Sequence, residues 1–309
     1  MLDLLLFAGG LGVAVLGSGR AVAEARALAT ALGAPPFLVG VALVAVGTDL
    51  PEIANSISAH LQGQGDINVG DSIGSVLTQY TLVLAAIPLV AGSFRVSRRE
   101  VVVVGSLTVP GLVLSAALVA DGRLGHLDGL LLVAAWIVLL ALAVRILPRQ
   151  VDEDTPLKER SHLVRIGVIV VALLLVGVGA SLAVRSLVRL AELAGVSEFL
   201  IAYFGAALAT SAPELIVVIT AASRGAFGLA LGDALGASFV DSSLSIGAGP
   251  LIAGAPVTAH AAIPGIAYAL LATVAATILL AARGRHDRRS GFVLLALYAL
   301  AYVVVIRGA

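Results

Sequence analysis

The feature that most constrains this chain is a proline followed by a glutamate in the middle of a long apolar segment, and it occurs twice. Residues 47–52 read GTDLPE, and residues 209–214, which lie 162 positions later, read ATSAPE. Proline removes a backbone donor and clashes with the preceding turn, so a helix that carries it is bent or interrupted. A glutamate in hydrocarbon is costly and faces a bundle interior or a wet cavity. Two such sites in corresponding places are typical of secondary transporters with discontinuous helices.

A structural alternative applies to both motifs. Asp49 and Glu52, like Ser211 and Glu214, have the spacing of a capping box, with a proline just inside the new helix. About a dozen apolar residues precede each motif, however, and hydrocarbon holds no water, so we favour a functional role for the acidic side chains. The two interpretations are compatible, because a helix that restarts at the membrane midplane points its amide donors into the cavity.

Composition indicates the class of protein. The chain is 60% apolar and 12% charged, with a mean hydropathy of +1.08, which is typical of a multi-spanning membrane protein. The formal charge of zero gives no sign of nucleic-acid binding, and the lack of cysteine excludes disulfides and thiol chemistry. No basic region precedes the first apolar run, which argues against a cleaved signal peptide.

Ten apolar segments are long enough to cross a membrane, given about 20 residues for each crossing. The predicted fold is an all-α integral membrane protein of ten transmembrane helices, with spans near residues 2–19, 35–61, 67–92, 100–120, 126–147, 164–186, 197–222, 228–253, 260–282 and 290–307. The first and sixth helices are expected to continue through residues 20–32 and 186–194, where apolar residues still recur at helical spacing.

The basic residues predict the orientation of these spans. With the N-terminus outside, 15 of the 19 lysines and arginines fall in inner connections and only four fall outside. Both termini are then external, and the central connection is cytoplasmic. This connection, residues 148–163, is expected to be a short solvated linker between a first five-helix repeat, 1–147, and a second one, 164–309.

The two halves of the chain repeat each other. Sliding the sequence by 162 positions aligns residues 33–83 with 195–245 without a gap and gives 14 identities in 51. The informative matches are Thr48 with Thr210, Pro51 with Pro213, Glu52 with Glu214 and Asp71 with Asp233. Since each half has an odd number of spans, the halves enter the membrane in opposite directions, as in an inverted repeat.

A second motif begins the next span of each half. Residues 70–79 read GDSIGSVLTQ and residues 232–241 read GDALGASFVD. Glycines four apart let helix backbones approach closely, so a packing seam is one explanation. Ser75 and Gln79 also share one helix face, and Asp241 takes the place of Gln79 in the second copy. These short polar faces are expected to converge on one centre.

Together the four segments resemble the calcium/cation antiporter superfamily, and in particular its Na+/Ca2+ exchanger branch, whose repeats read G-T-S-x-P-E and then G-N-x-x-G-S-N-x-x-N or D. The resemblance implies alternating-access antiport, with Ca2+ held between Glu52 and Glu214 and Na+ at flanking sites. It carries the family's ligand positions onto Thr48, Glu52, Ser75, Gln79, Thr210, Ser211, Glu214 and Asp241, and onto backbone carbonyls near Ala45 and Ala207. Independently, Ca2+ is a hard ion that prefers oxygen ligands, and the motifs contain no Cys or His for zinc or copper.

Several positions depart from the family pattern. Asp49 stands where the family has Ser, Gln79 where it has Asn and Ala237 where it has Ser, while Asp71 and Asp233 replace its Asn pair. Asp49 is either an N-cap exchanged for Ser or a further metal ligand, which must then bind a cation or hold a proton. Asp71 and Asp233 lie about 12 Å along their helices from the second ligand level, so we expect structural capping or helix contacts there rather than ion binding.

The predicted function is a secondary-active antiporter of the cell membrane, and not an enzyme, that exchanges Ca2+ for Na+ as a monomer and without a cofactor. H+-coupled Ca2+ exchange is the nearest alternative, favoured by the extra carboxylate of Asp49. A cation channel is more remote, because it needs no pair of helix breaks related by inverted symmetry. The five histidines fall near predicted span ends or in connections, where we expect them to be interfacial.

Overall fold

The computed structural model describes residues 2–147, 161–193 and 211–308, and most of these residues are helical. The first half contains α1 (Leu2–Leu32), α2 (Pro36–Val39), π1 (Gly40–Val44), α3 (Ala45–Thr48), α4 (Leu50–Leu61), α5 (Gly65–Thr78), π2 (Gln79–Val83), α6 (Leu84–Ala91), β1 (Phe94–Arg95), α7 (Arg98–Val119), β2 (Arg123–Leu124) and α8 (His126–Ile146). The second half contains α9 (His162–Leu193), α10 (Ala212–Ser223), α11 (Phe227–Val240), π3 (Asp241–Ser245), α12 (Ile246–Ile252), β3 (Ala255–Pro256), α13 (Ala259–Arg283), β4 (Arg285–His286) and α14 (Arg288–Gly308). The segments π1 to π3 are π-helical turns.

Several described helices meet the requirements of a membrane span. Six are long and apolar enough to cross a bilayer, and the broken pair Pro36–Thr48 and Leu50–Leu61 gives a seventh if it forms one span. A multi-pass membrane protein is therefore confirmed. The predicted extension of the first helix to residue 32 is also confirmed, and α9 runs to Leu193. Most of the predicted linker and the first part of the predicted seventh span lie outside the described residues.

The chain forms two compact units. The first unit consists of Met1–Thr48 and Arg149–Asp233, and the second of Asp49–Pro148 and Ala234–Ala309. Each unit takes segments from both halves of the sequence, so the units do not coincide with the two predicted repeats. The repeat boundaries themselves stay a prediction.

In the first unit, α1 packs antiparallel against α9. The two backbones approach closely because glycines face each other, and a Cβ added to Gly10 would lie 2.7 Å from the carbonyl oxygen of Gly179. Further along the pair, Arg165 Nη1 lies 3.0 Å from Glu24 Oε2 in a buried ion pair. Burying a charge is costly unless it is paired, so this contact fixes how α1 and α9 align.

Two short antiparallel ribbons join distant connections of the second unit. In the arginine ribbon, made of β1 and β4, Phe94 pairs with His286 and Arg95 pairs with Arg285. The second ribbon is made of β2 and β3. Because paired strands lie side by side, each ribbon places its two connections on the same side of the membrane.

The same unit holds the helices that carry the motifs. α4 packs against α12, and α5 packs against α13. The contact between α4 and α12 is close at Gly249, whose amide donates to Ser56 Oγ over 2.9 Å. A Cβ on Gly249 would lie 2.3 Å from the carbonyl oxygen of Ser56, so only glycine fits there.

Candidate cation-binding site

The first motif lies where one helix ends and the next begins. α3 ends at Thr48, Asp49 has φ −82° and ψ 5°, and α4 starts at Leu50, so the predicted interruption is confirmed. Asp49 and Glu52 are 0% and 2% exposed. Asp49 occupies the N-cap position, but its side chain accepts no capping hydrogen bond. The side-chain part of the capping-box alternative is therefore wrong at this motif.

The second motif repeats this backbone arrangement in the first unit. Ser211 has φ −94° and ψ 9°, α10 starts at Ala212, and the Ser211 side chain also makes no capping bond. Glu214, in the first turn of α10, is 0% exposed. Two predicted ligands of this half, Thr210 and Ala207, lie outside the described residues.

Thr48 and Ala45 lie together just after π1. The Thr48 hydroxyl is 3.0 Å from the carbonyl oxygen of Ala45, 3.3 Å from that of Val44 and 3.4 Å from Asp233 Oδ1. A hydroxyl carries a single proton, so it donates to one of these oxygens at a time. The contact with Thr48 agrees with the helix-contact role predicted for Asp233, whose carboxylate is fully buried.

The second motifs meet each other in the second unit. Gln79 Nε2 donates to Asp241 Oδ2 over 2.9 Å, and both side chains are 0% exposed. A π turn begins at each of these two residues, π2 at Gln79 and π3 at Asp241. Such turns are frequent at functional sites, and no residue in the sequence signals them. Ser75, one turn before Gln79, is also buried.

Asn55 is a polar partner that the sequence reasoning missed. Its side-chain amide donates to Asp71 Oδ2 over 2.6 Å and so ties α4 to α5. This agrees with the helix contact predicted for Asp71. The available signal was an asparagine three positions after Glu52, in the same helix.

The carboxylates of the first motif place negative charge in a buried setting. One carboxylate oxygen of Asp49 and one of Glu52 lie within 4.8 Å of each other. Two buried negative charges at this separation repel strongly, so a cation or a proton stabilises the pair. Oxygen ligands of this kind suit hard ions such as Ca2+ and Na+.

Two histidines are buried, so the prediction that all five are interfacial is wrong for them. The ring of His60 lies between the carbonyl oxygen of Ala253, at 2.8 Å, and the amide nitrogen of Asn68, at 3.0 Å. His286 Nε2 lies 2.8 Å from the carbonyl oxygen of Leu84, to which it donates. Burial lowers the pKa of His286 to about 4.

A family profile described as sodium/calcium exchanger protein matches this chain twice, over residues 2–145 and 164–307. The inner membrane protein YrbG of Escherichia coli K12 is a relative that is 29% identical over 256 residues, which covers 79% of this chain and 78% of YrbG. The sodium/calcium exchanger MaX1 of Methanosarcina acetivorans is 37% identical over 82 residues, which covers 26% of this chain and 23% of MaX1.

A solved structure also resembles this chain, and it belongs to a sodium-calcium exchanger. The sodium-calcium exchanger NCX_Mj superposes with a TM-score of 0.82 at 25% sequence identity, over 98% of each chain. The profile matches, together with this likeness, cover nearly the whole length of the protein. The chain therefore belongs to the sodium/calcium exchanger protein family and is a cation antiporter, not an enzyme.

Proposed function

We propose that this antiporter exchanges Ca2+ for Na+ by alternating access and that Glu52 and Glu214 jointly bind one Ca2+. The observation that carries the proposal is the burial of both glutamates, 2% and 0% exposed, in the first turn of a restarting helix. The amide donors and positive dipole end at such a turn favour negative side chains there. Two carboxylates balance the charge of Ca2+ and give it hard oxygen ligands.

The remaining ligands are assigned from the family motif. We propose that hydroxyls of the first motifs complete the Ca2+ site, and that the second motifs, with carbonyls at the helix breaks, hold Na+. These residues are Thr48, Thr210 and Ser211 for Ca2+, and Ser75, Gln79, Asp241, Ala45 and Ala207 for Na+. The hydrogen bond between Gln79 and Asp241 and the π turns that begin at both residues support this assignment.

We also propose ten spans in two inverted repeats, with both termini outside and the monomer as the functional unit. Spans four to nine separate β1 from β4, and spans five to eight separate β2 from β3. Both numbers are even, as the strand pairing requires for connections on one side of the membrane. The abundance of arginine at the arginine ribbon supports placing that ribbon in the cytoplasm.

H+-coupled exchange is the second candidate, and Asp49 favours it. The family pattern has Ser at this position, whereas this chain has a fully buried carboxylate that makes no capping bond and lies beside Glu52. A proton on this pair relieves the repulsion between its charges as a cation does.

Uptake of radioactive calcium into proteoliposomes distinguishes the candidates. Vesicles are loaded with Na+ and diluted into Na+-free buffer, or are prepared with an acidic lumen and no Na+. The Na+ gradient should drive uptake, and the pH gradient alone should not. Uptake driven by the pH gradient alone would support proton exchange instead. Uptake without either gradient would indicate a channel.

The same assay tests the assigned glutamates against a matched control. Glu52→Gln and Glu214→Gln keep the side-chain shape and remove the charge. Asp121→Asn makes the same kind of change on an exposed connection. We expect both glutamine variants to lose exchange, while Asp121→Asn transports like the wild type. The same loss in Asp121→Asn would mean that the assay reports general damage and not a binding site.

A further inference from the structure

The arginine ribbon and the helix starts beside it carry positive charge that carboxylates only partly neutralise. Seven arginines are exposed in these two connections: Arg95, Arg98, Arg99, Arg283, Arg285, Arg288 and Arg289. Within the part of the chain that the structure describes, Asp287 is the one carboxylate that forms ion pairs with them. It lies 2.5 Å from Arg283 Nη2 and 3.1 Å from Arg285 Nη2.

Like charges meet across the arginine ribbon, whereas Arg98 and Arg99 donate to the backbone carbonyl oxygens of Ala282 and Ile146. Arg95 lies directly across the ribbon from Arg285, and like charges in that position are destabilising. The first turns of α7 and α14 carry the pairs Arg98–Arg99 and Arg288–Arg289. A helix N-terminus has a positive dipole end and favours negative charge. A bound anion would relieve the repulsion between Arg95 and Arg285.

Exposed apolar side chains lie one helical turn beyond the arginines, toward the middle of the span. Phe292 and Val293, 61% and 48% exposed, follow Arg288 and Arg289 by four positions and therefore lie on the same helix face. A surface that is basic at its rim and apolar below matches a molecule with an anionic head and a hydrocarbon tail. A free phosphate has no hydrocarbon tail, so it could contact the arginines but not Phe292 and Val293.

The second ribbon shows that this charge is not a general property of the connections. There Arg123 pairs with Pro256, and Arg123 is the only basic residue in the two connections, residues 120–125 and 253–258. Arg123 takes the place in β2 that Arg285 takes in β4, 162 positions later. It therefore provides a matched control for the arginine ribbon.

We propose that the arginine ribbon binds the headgroup phosphate of an anionic phospholipid, with the guanidinium groups of Arg95 and Arg285 on the phosphate oxygens. Guanidinium forks match phosphate geometry, and basic clusters at a membrane surface select anionic lipids. Phe292 and Val293 contact the acyl chains. The proposal does not depend on whether Na+ or H+ drives transport.

The test compares lipids on the full-length protein in a mild non-ionic detergent. Melting temperature is followed while phosphatidylglycerol or phosphatidylcholine with the same acyl chains is added, with inorganic phosphate as a third addition. The wild type should respond to phosphatidylglycerol at about 30-fold lower concentration than to phosphatidylcholine, as two surface arginines provide. Equal responses to the two lipids, or an equal response to phosphate alone, would overturn the proposal.

Variants then locate the site. Arg95→Gln combined with Arg285→Gln should remove the preference for phosphatidylglycerol, while Arg123→Gln should keep it. A preference that survives the double variant would place the lipid elsewhere and overturn the assignment. If the double variant does not fold, Arg95→Lys with Arg285→Lys keeps the charge and removes the forks. That variant should bind phosphatidylglycerol more weakly than the wild type, and equal binding would contradict the proposed phosphate contact.

Discussion

At Asp49 in the first repeat and Ser211 in the second, the chain leaves one helix and starts another with nearly the same backbone angles, φ −82° and ψ 5° against φ −94° and ψ 9°. At Gln79 and Asp241, also 162 positions apart, a π turn begins in both repeats. The side chains at these matched positions differ in charge. Backbone interruption is thus common to the two repeats, whereas the side chains at these four positions are specific to each.

The difference concerns where each repeat carries its carboxylates. The first repeat has Asp49 beside Glu52 and the amide Gln79, whereas the second has Ser211 beside Glu214 and the acidic residue Asp241. The two glutamates match each other, as do Asp71 and Asp233 in the second motifs, whereas Asp49 and Asp241 have no acidic counterpart. We infer that the glutamates serve the step that both repeats share, binding the divalent ion, and that the unmatched carboxylates decide which second ion is exchanged and how many.

The largest expected effect comes from the matched glutamates. Glu52→Gln and Glu214→Gln should each reduce calcium exchange on the order of 1,000-fold, since breaking a buried charge interaction costs about 3–5 kcal/mol. The measurement is the initial rate of calcium uptake under a Na+ gradient, in protein whose folding is checked by size-exclusion chromatography. A variant that folds and transports like the wild type would show that the repeats do not share this role.

The helix breaks could be predicted from the sequence, because the cause is local. Pro51 and Pro213 remove backbone donors wherever they stand, and an adjacent glutamate in an apolar run has few possible roles. The π turns at Gln79 and Asp241 could not be predicted, because no proline or glycine marks them and the extra residue in the turn is accommodated by packing around it.

Side-chain partners were harder to predict than the backbone. The pairing of Gln79 with Asp241 followed from internal symmetry, since the residues hold the same place in the two repeats. The bond between Asn55 and Asp71 has no such counterpart, because position 217 is a valine. His60 stands near the end of a span in the sequence, yet α12 covers it, and the sequence gives no sign of which helix packs there.

The next largest effect is a pH dependence of stability at the ribbons. One of them has a histidine that can be protonated where the other has a leucine. His286 in β4 corresponds to Leu124 in β2, and both are 0% exposed. Burial lowers the pKa of His286 from its ordinary value of 6.5 to about 4. Neutral His286 therefore supports folding fully above pH 6.5, and this support is lost as the pH falls toward 4. The loss is on the order of 3 kcal/mol.

Melting temperatures in detergent between pH 7 and pH 4 measure this effect. Asp287 does not account for a change in this range, because a hydrogen bond from the Ser290 amide and its arginine neighbours lower its pKa to about 2. His286→Gln keeps a donor for the carbonyl oxygen of Leu84 but cannot take up a proton. It should have a flatter pH dependence than the wild type. The same slope in both proteins would assign the acid sensitivity to other groups.

A smaller effect tests the stoichiometry of exchange. Exchange of three Na+ for one Ca2+ moves one net charge in each cycle, whereas exchange of two does not. A membrane potential of 100 mV then changes the driving force by about 2.3 kcal/mol per charge. Calcium uptake in vesicles with a potassium diffusion potential should therefore depend on the sign of the potential. Uptake that does not depend on the membrane potential would exclude the three-for-one exchange typical of the family.

The smallest effect is expected at Asp49, where the repeats differ most within their first motif. Its carboxylate is buried within 4.8 Å of a Glu52 oxygen and makes no capping bond, so a proton and Ca2+ compete to stabilise the pair. The apparent affinity for Ca2+ should weaken as the pH falls from about 8 to about 6, by up to about tenfold for each pH unit if one proton competes with each ion. Asp49→Ser copies the residue of the second repeat and should flatten this dependence while exchange continues. If the variant folds and keeps the wild-type pH profile, Asp49 is not the competing group and the proposal of proton coupling loses its main support.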